Sequence, residues 1–364
     1  MKSNISINKQ RDSNIELLRI IVACFVIVLH YFFPKVFDVI QTLPDGSEKL
    51  CRIFIVGSFE SISACAVNVF IIITGFFLCN NNKRTWDKPL KLIIFLILVR
   101  AVVFVFYSVI EPGAFSLLEF FYYSLPRNYF VPIYVALYLI SPYINIVLDK
   151  LSTQERKRLV ILLLCVFSLW NIGVDVLSEI GEKNINSMST VGRLGSSYGQ
   201  TIVNFFVLYC IGAFIRLNHV KIKKRNSIFL FMAISILVFV WFIIESKTKT
   251  VITDFSFCYY HNPFIIAQSA LLFLFFKEVS IRSIIINELA SAAYGCYILQ
   301  GYILNFAKID HVATFSIPVL LLHLLICIIV TYLLSYLVYK IYTIVVNAFI
   351  RGLKNKEITY FDLK

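Results

Sequence analysis

Three ionisable residues fall in the first long apolar run of the chain: Glu16 and Arg19 near its start and His30 near its end. Charged or titratable groups inside such a run are costly in hydrocarbon and mark functional positions by default. The step from Arg19 to His30 covers ~1100° at ~100° per residue, about 20° more than three full turns, so both side chains share one helix face. Glu16, three residues before Arg19, shares it too. The axial distance between Arg19 and His30 is ~16 Å at 1.5 Å per residue. A guanidinium is a planar fork that suits phosphate, and an imidazole exchanges protons near neutral pH. The pair therefore fits one task well: the arginine holds the phosphates of a cofactor while a long flexible arm carries its reactive end to the histidine. Each residue also has a plainer reading. Arg19 would snorkel to the helix end with Glu16 as its partner, and His30 would be a hydrogen-bonded packing residue.

The elements that must position these groups are set by composition. Of 364 residues, 59% are apolar and 15% charged, and the mean hydropathy is +0.81. Soluble domains lie nearer 45–50% apolar and 25% charged. Thirty-four Phe and twenty Tyr suit the interfaces of a bilayer. These values describe an all-α polytopic integral membrane protein and exclude a disordered chain, a collagen or a disulfide scaffold. Runs of bilayer length place about ten transmembrane helices near 15–33, 62–79, 90–110, 129–148, 159–175, 200–217, 228–244, 259–277, 285–306 and 315–346. The apolar stretch 51–61 either lengthens the second span or forms a short segment of its own. Residues 1–350 then form the membrane-embedded domain and 351–364 a short cytoplasmic tail.

The net charge of +13 is a topology signal and not a nucleic-acid signal, because the cations come in short clusters between apolar runs. Lys83, Arg84, Lys88 and Lys91 form one cluster, Arg156, Lys157 and Arg158 another, and Lys221, Lys223, Lys224 and Arg225 a third. Ten spans put all three on the side of the N- and C-termini, which the positive-inside rule makes cytoplasmic. Loops 34–50 and 176–199 are polar and fall on the opposite side. The nine cysteines show no redox or metal spacing, and the five scattered histidines give no case for a metal site. Glu60 and Arg100 are further charges in or near spans and are candidates to pair. His261 opens the eighth span and is read as a structural cap.

Five stretches carry a resemblance. Asn14 to Arg19 followed by Leu29 and His30 resembles the first helix of the membrane-bound acyltransferase-three family, whose signature is an arginine and a histidine separated by ten residues. Val69 to Leu78, with Thr74 and Gly75, resembles its second-helix element. Tyr134, Tyr138, Ser141, Pro142 and Asn145 resemble a third, and Leu208, Tyr209, Gly212 and Arg216 a fourth. Tyr294, Gly295, Tyr297 and Gln300 resemble a fifth. The order is kept over nearly the whole chain. Gln300 stands where many members carry histidine, and Tyr129-Phe130 where a tryptophan-phenylalanine pair is usual.

The resemblance implies an enzyme that moves an acyl group, usually acetyl, from cytoplasmic acyl-CoA to a hydroxyl of a carbohydrate such as a surface polysaccharide or its lipid-linked precursor. Arg19 is then the donor-binding residue and His30 the catalytic one, acting as general base or being acylated itself. No metal is implied. The implied partners are a carbohydrate acceptor and membrane lipids, and the implied location is the plasma membrane. The rival reading is a non-enzymatic polytopic protein that exports or polymerises polysaccharide.

Overall fold

A chain that crosses hydrocarbon must satisfy its backbone internally, and this one does so with helices. The computed structural model describes residues 12–110, 116–180, 197–247, 255–353 and 359–361. The helices are α1 (Ser13–Tyr31), α2 (Phe37–Thr42), α3 (Ser47–Ser63), α4 (Ala66–Leu78), α5 (Asp87–Ile110), α6 (Leu117–Ser124), α7 (Phe130–Lys150) and α8 (Thr153–Leu164). They continue as α9 (Trp170–Ile180), α10 (Ile202–Leu217), α11 (Lys224–Glu245), α12 (Pro263–Lys277), α13 (Ile284–Ala290), α14 (Ala293–Asn305), α15 (Ile309–Val312) and α16 (Ile317–Leu353). A short antiparallel pairing of Arg84–Thr85 with Thr359–Phe361 is added to them. The protein is an all-α polytopic membrane protein.

Among the described residues, seven helical runs are long and apolar enough to cross a bilayer: 13–42, 47–78, 87–110, 130–150, 153–177, 224–245 and 317–347. The other three expected spans are helical but shorter or broken. Helix α10 starts where Thr201 accepts a hydrogen bond from the Asn204 amide. Helix α12 starts where Asn262 caps the Phe264 amide and Pro263 takes the first position, a place where its missing N–H costs nothing. The expected span 285–306 is interrupted between α13 and α14. The second span is lengthened by the stretch before it, since α3 and α4 run on as one 32-residue path.

One expectation is corrected outright. Stretch 34–50 is not a polar loop over most of its length. Its apolar residues recur at helical spacing, and Phe33, Val36, Phe37 and Ile40 are buried. Phe33 and Phe37 pack against Phe242 and Phe255. Phe33 adopts extended angles within this helical stretch (φ −112°, ψ 133°), as a residue before proline prefers. Most of the other expected polar loop, 181–196, lies outside the described residues, as do the chain's first eleven and most of its tail.

Helix α1 runs through the middle and packs against α3, α4, α12, α13, α14 and α16. The outer helices instead present apolar side chains outward: Val102, Val105 and Val109 on α5, and Leu322, Ile326, Ile329 and Leu333 on α16. An apolar exterior around a helix carrying Glu16, Arg19 and His30 is what a bilayer as solvent requires. Inside, α4 and α10 meet at backbone distance. A Cβ on Gly75 would run into the Tyr209 carbonyl, and one on Gly212 into the Ile72 carbonyl. Small residues that let backbones approach are how membrane helices gain packing energy without a hydrophobic drive.

Candidate active site

Arg19 and His30 occupy successive levels of α1, and each opens into a cavity of its own. The first cavity, about 430 Å³, is lined by Arg19, Glu16, Lys91, Tyr134, Ser291 and Thr343 among others. The second, about 240 Å³, is lined by His30, Glu60 and a group of aromatic residues. The structure therefore does not bring Arg19 and His30 into contact. It sets them in two compartments stacked along one helix.

A single residue, Tyr297 of α14, lines both compartments. Its ring lies 4.8 Å, centroid to centroid, from that of Phe130. Phe130 faces the Arg19 cavity, while its neighbour Tyr129 faces the His30 cavity. The Asn128 side-chain oxygen accepts from the Phe130 and Val131 amides at 3.0 and 3.2 Å, which fixes the start of α7 and with it both rings. Aromatic residues at the start of α7 and on α14 thus lie at the junction of the two cavities.

In the first cavity, Arg19 keeps 37% of its side-chain surface accessible while its Nη1 sits 3.7 Å from Glu16 Oε1. That contact is long enough to leave the guanidinium fork available. The four cations after the second span now separate. Arg84 is fully buried and donates to the Tyr138 carbonyl and Ser141 Oγ on α7 and to the Leu78 carbonyl at 3.5 Å, so it ties the end of α4 to α7. Lys88 stands 5.9 Å from the centre of the Tyr138 ring. Only Lys91 of the four lines the Arg19 cavity, where its Nζ donates to Asn347 Oδ1 at 2.8 Å.

In the second cavity, His30 has accessible surface and no hydrogen bond to its ring among the described residues. Tyr129, Tyr198, Tyr259, Tyr260 and Tyr297 supply the walls. Two of these come from segment 255–262, a single 3-10 turn (Ser256–Cys258) with irregular backbone after it, which buried polar contacts hold in place. Glu245 accepts from the Ser256 and Phe257 amides at 3.0 and 3.1 Å. Asn68 donates to the Tyr260 carbonyl at 2.8 Å, and the Tyr260 amide donates to the Tyr198 carbonyl at 2.9 Å. Ser168 donates to the His261 carbonyl at 2.6 Å, and His261 Nε2 lies 3.4 Å from Asp175 Oδ2. Irregular backbone is tolerated at membrane depth when protein surrounds it in this way. Gly199, at φ +84°, is part of the same contact, because a Cβ there would stand 2.6 Å from the His261 amide nitrogen.

His261 turns to Asp175 and lines neither cavity, and the cap expected of it belongs to its neighbour Asn262. Gln300 is buried and lines neither cavity. Glu60 and Arg100 do not pair. Arg100 donates to the Tyr123 carbonyl at 2.6 Å and covers the Tyr123 ring, whereas Glu60 faces the His30 cavity. The residues that sequence reasoning gave no role are Tyr129, Phe130 and Tyr297, all singled out only for their motif positions. Asn145 explains another motif: it accepts from Tyr209 Oη at 2.7 Å and donates to the Leu78 carbonyl at 2.8 Å, closing the end of α4.

No curated protein and no solved structure matches the chain. Residues 12–340 match a family model described as an acyltransferase domain. With nearly its full length covered, and with the arginine and histidine of the first helix each opening into a cavity, the chain belongs to the acyltransferase-three family of membrane proteins.

Proposed function

We propose that this membrane acyltransferase takes an acetyl or other short acyl group from acyl-CoA bound at Arg19 and delivers it to a carbohydrate hydroxyl at His30. The observation that carries this reading is the pair of unlike compartments on α1 with Tyr297 between them. The Arg19 cavity offers a guanidinium and the Lys91 ammonium for phosphates, and hydroxyls from Thr74, Ser291 and Thr343 for the rest of a polar donor. The His30 cavity offers tyrosine faces, on which the C–H side of a sugar ring can lie.

The acyl arm passes Tyr297 and presents its thioester to the histidine level. His30 takes the proton of the acceptor hydroxyl as the hydroxyl oxygen bonds to the thioester carbonyl carbon. The C–S bond then breaks, and the imidazolium returns its proton to the leaving thiolate. An acyl-imidazole on His30 would reach the same products in two steps. The Arg19 end faces the cytoplasm, where CoA is available, and the plasma membrane is the natural site for delivery to a surface glycan or its lipid-linked precursor.

The test is acetyl transfer by the purified full chain in detergent. The expected result is release of free CoA from acetyl-CoA together with labelled acetyl ester on a methyl glycoside. A protein that exports or polymerises glycans would release no CoA, and that result would overturn the reading.

A further inference from the structure

Glu60 is the one carboxyl group among the residues that line the His30 cavity, and no Lys or Arg lines it. It stands in the last turn of α3, with 2% of its surface accessible. Its Oε1 is buried and has no hydrogen-bond partner among the described residues. A buried polar atom without a partner is uncommon enough in a folded protein to call for an explanation. Packing gives none, because an apolar residue of the same size would fill the space without that penalty. Nor does ion pairing, since Arg100 is engaged with Tyr123.

Whatever its protonation state, a carboxyl oxygen can accept a hydrogen bond from a hydroxyl. The other features of this cavity ask for a ligand that has hydroxyls and also lies flat on aromatic faces. We propose that Glu60 is the acceptor anchor: its Oε1 takes a hydrogen bond from a second hydroxyl of the sugar, beside the one that His30 deprotonates. Glu60 handles no proton of the transfer itself. It fixes which hydroxyl stands at the imidazole, and so belongs to acceptor choice and not to donor binding. The inference rests on reading this compartment as the acceptor site.

The experiment uses the full chain in detergent with saturating acetyl-CoA, and methyl glycosides of glucose, galactose and N-acetylglucosamine as probe acceptors. For Glu60→Leu the acceptor KM should rise about 10-fold or more, the scale of a lost hydrogen bond to a charged or desolvated group. Glu60→Gln keeps an oxygen acceptor at the same place and should rise by only about 3-fold. The dissociation constant for CoA, measured directly on both variants, should stay at the wild-type value. An unchanged acceptor KM in Glu60→Leu overturns the assignment while leaving the acyl-transfer reading standing. A parallel loss of CoA affinity in both variants also overturns it, by making Glu60 a residue of the fold. Wild-type protein that releases CoA but accepts none of the glycosides overturns the carbohydrate reading and the Glu60 assignment together.

Discussion

The two compartments on α1 differ in size, charge and construction. The Arg19 cavity is the larger, at about 430 Å³ against 240 Å³, and carries two cations with hydroxyl-bearing side chains around them. Its walls are helical, drawn largely from α4, α5, α14 and α16. Tyrosines line both cavities and each holds one carboxyl group, Glu16 in the first and Glu60 in the second. The His30 cavity differs in having no Lys or Arg in its lining, and part of that lining is irregular backbone pinned by Glu245, Asn68 and Ser168. On the proposed reading, a donor shared by many enzymes would be met by charge on helices, and an acceptor that must be distinguished from others by a buried segment held through side-chain hydrogen bonds. The one helix that both share holds Arg19 and His30 in fixed register.

If the compartments divide the work in this way, substitutions should separate by kinetic constant. The largest effect is expected at His30. His30→Ala should lower transfer by about 10²- to 10⁴-fold, the range for loss of a positioned general base, with CoA affinity unmoved. Single-turnover and binding measurements on the purified variant check both parts. His30→Gln should fail as well, because an amide does not take up the proton.

Arg19 comes next. Arg19→Ala should weaken CoA binding by about 10- to 100-fold, as expected for charge-assisted hydrogen bonds to phosphate. Arg19→Lys should fall between that variant and the wild type, since an ammonium offers a point charge in place of a fork. A CoA titration of each variant decides it. The smallest effect belongs to Lys91, whose Nζ is already shared with Asn347. Lys91→Ala should raise the CoA dissociation constant by about 3- to 10-fold and leave the acceptor KM alone. A shift in acceptor KM with either cation variant would break the division of labour.

How much of this was legible in the sequence depends on the range of the contacts involved. Arg19 and His30 could be placed on one face because helical spacing is local and α1 runs unbroken from Ser13 to Tyr31. The cavities could not be read, because their walls come from residues far apart in the chain, such as Glu60, Tyr129, Tyr260 and Tyr297. Glu60 stood out as a charge in an apolar region, yet nothing local says that Arg100 turns to Tyr123 instead. The motif glycines were visible as letters, but Gly75 and Gly212 make sense only when α4 and α10 are seen to meet there. Stretch 34–50 misled because its polar residues, Lys35, Asp38 and Asp45 among them, mask a buried apolar face that includes Phe37 and Ile40. The three short spans have ends set by Thr201, Asn262 and the break at Ser291, where hydropathy alone shows no boundary.

The central claim is that donor binding and proton transfer occupy separate levels of one helix. Equilibrium CoA binding to His30→Ala and Arg19→Ala, set beside the acetyl transfer of each, tests it most directly. The account predicts that His30→Ala binds CoA like the wild type yet transfers about 10²- to 10⁴-fold more slowly, whereas Arg19→Ala loses affinity but regains transfer as acetyl-CoA is raised. Loss of CoA affinity in His30→Ala, or wild-type affinity in Arg19→Ala, would contradict it.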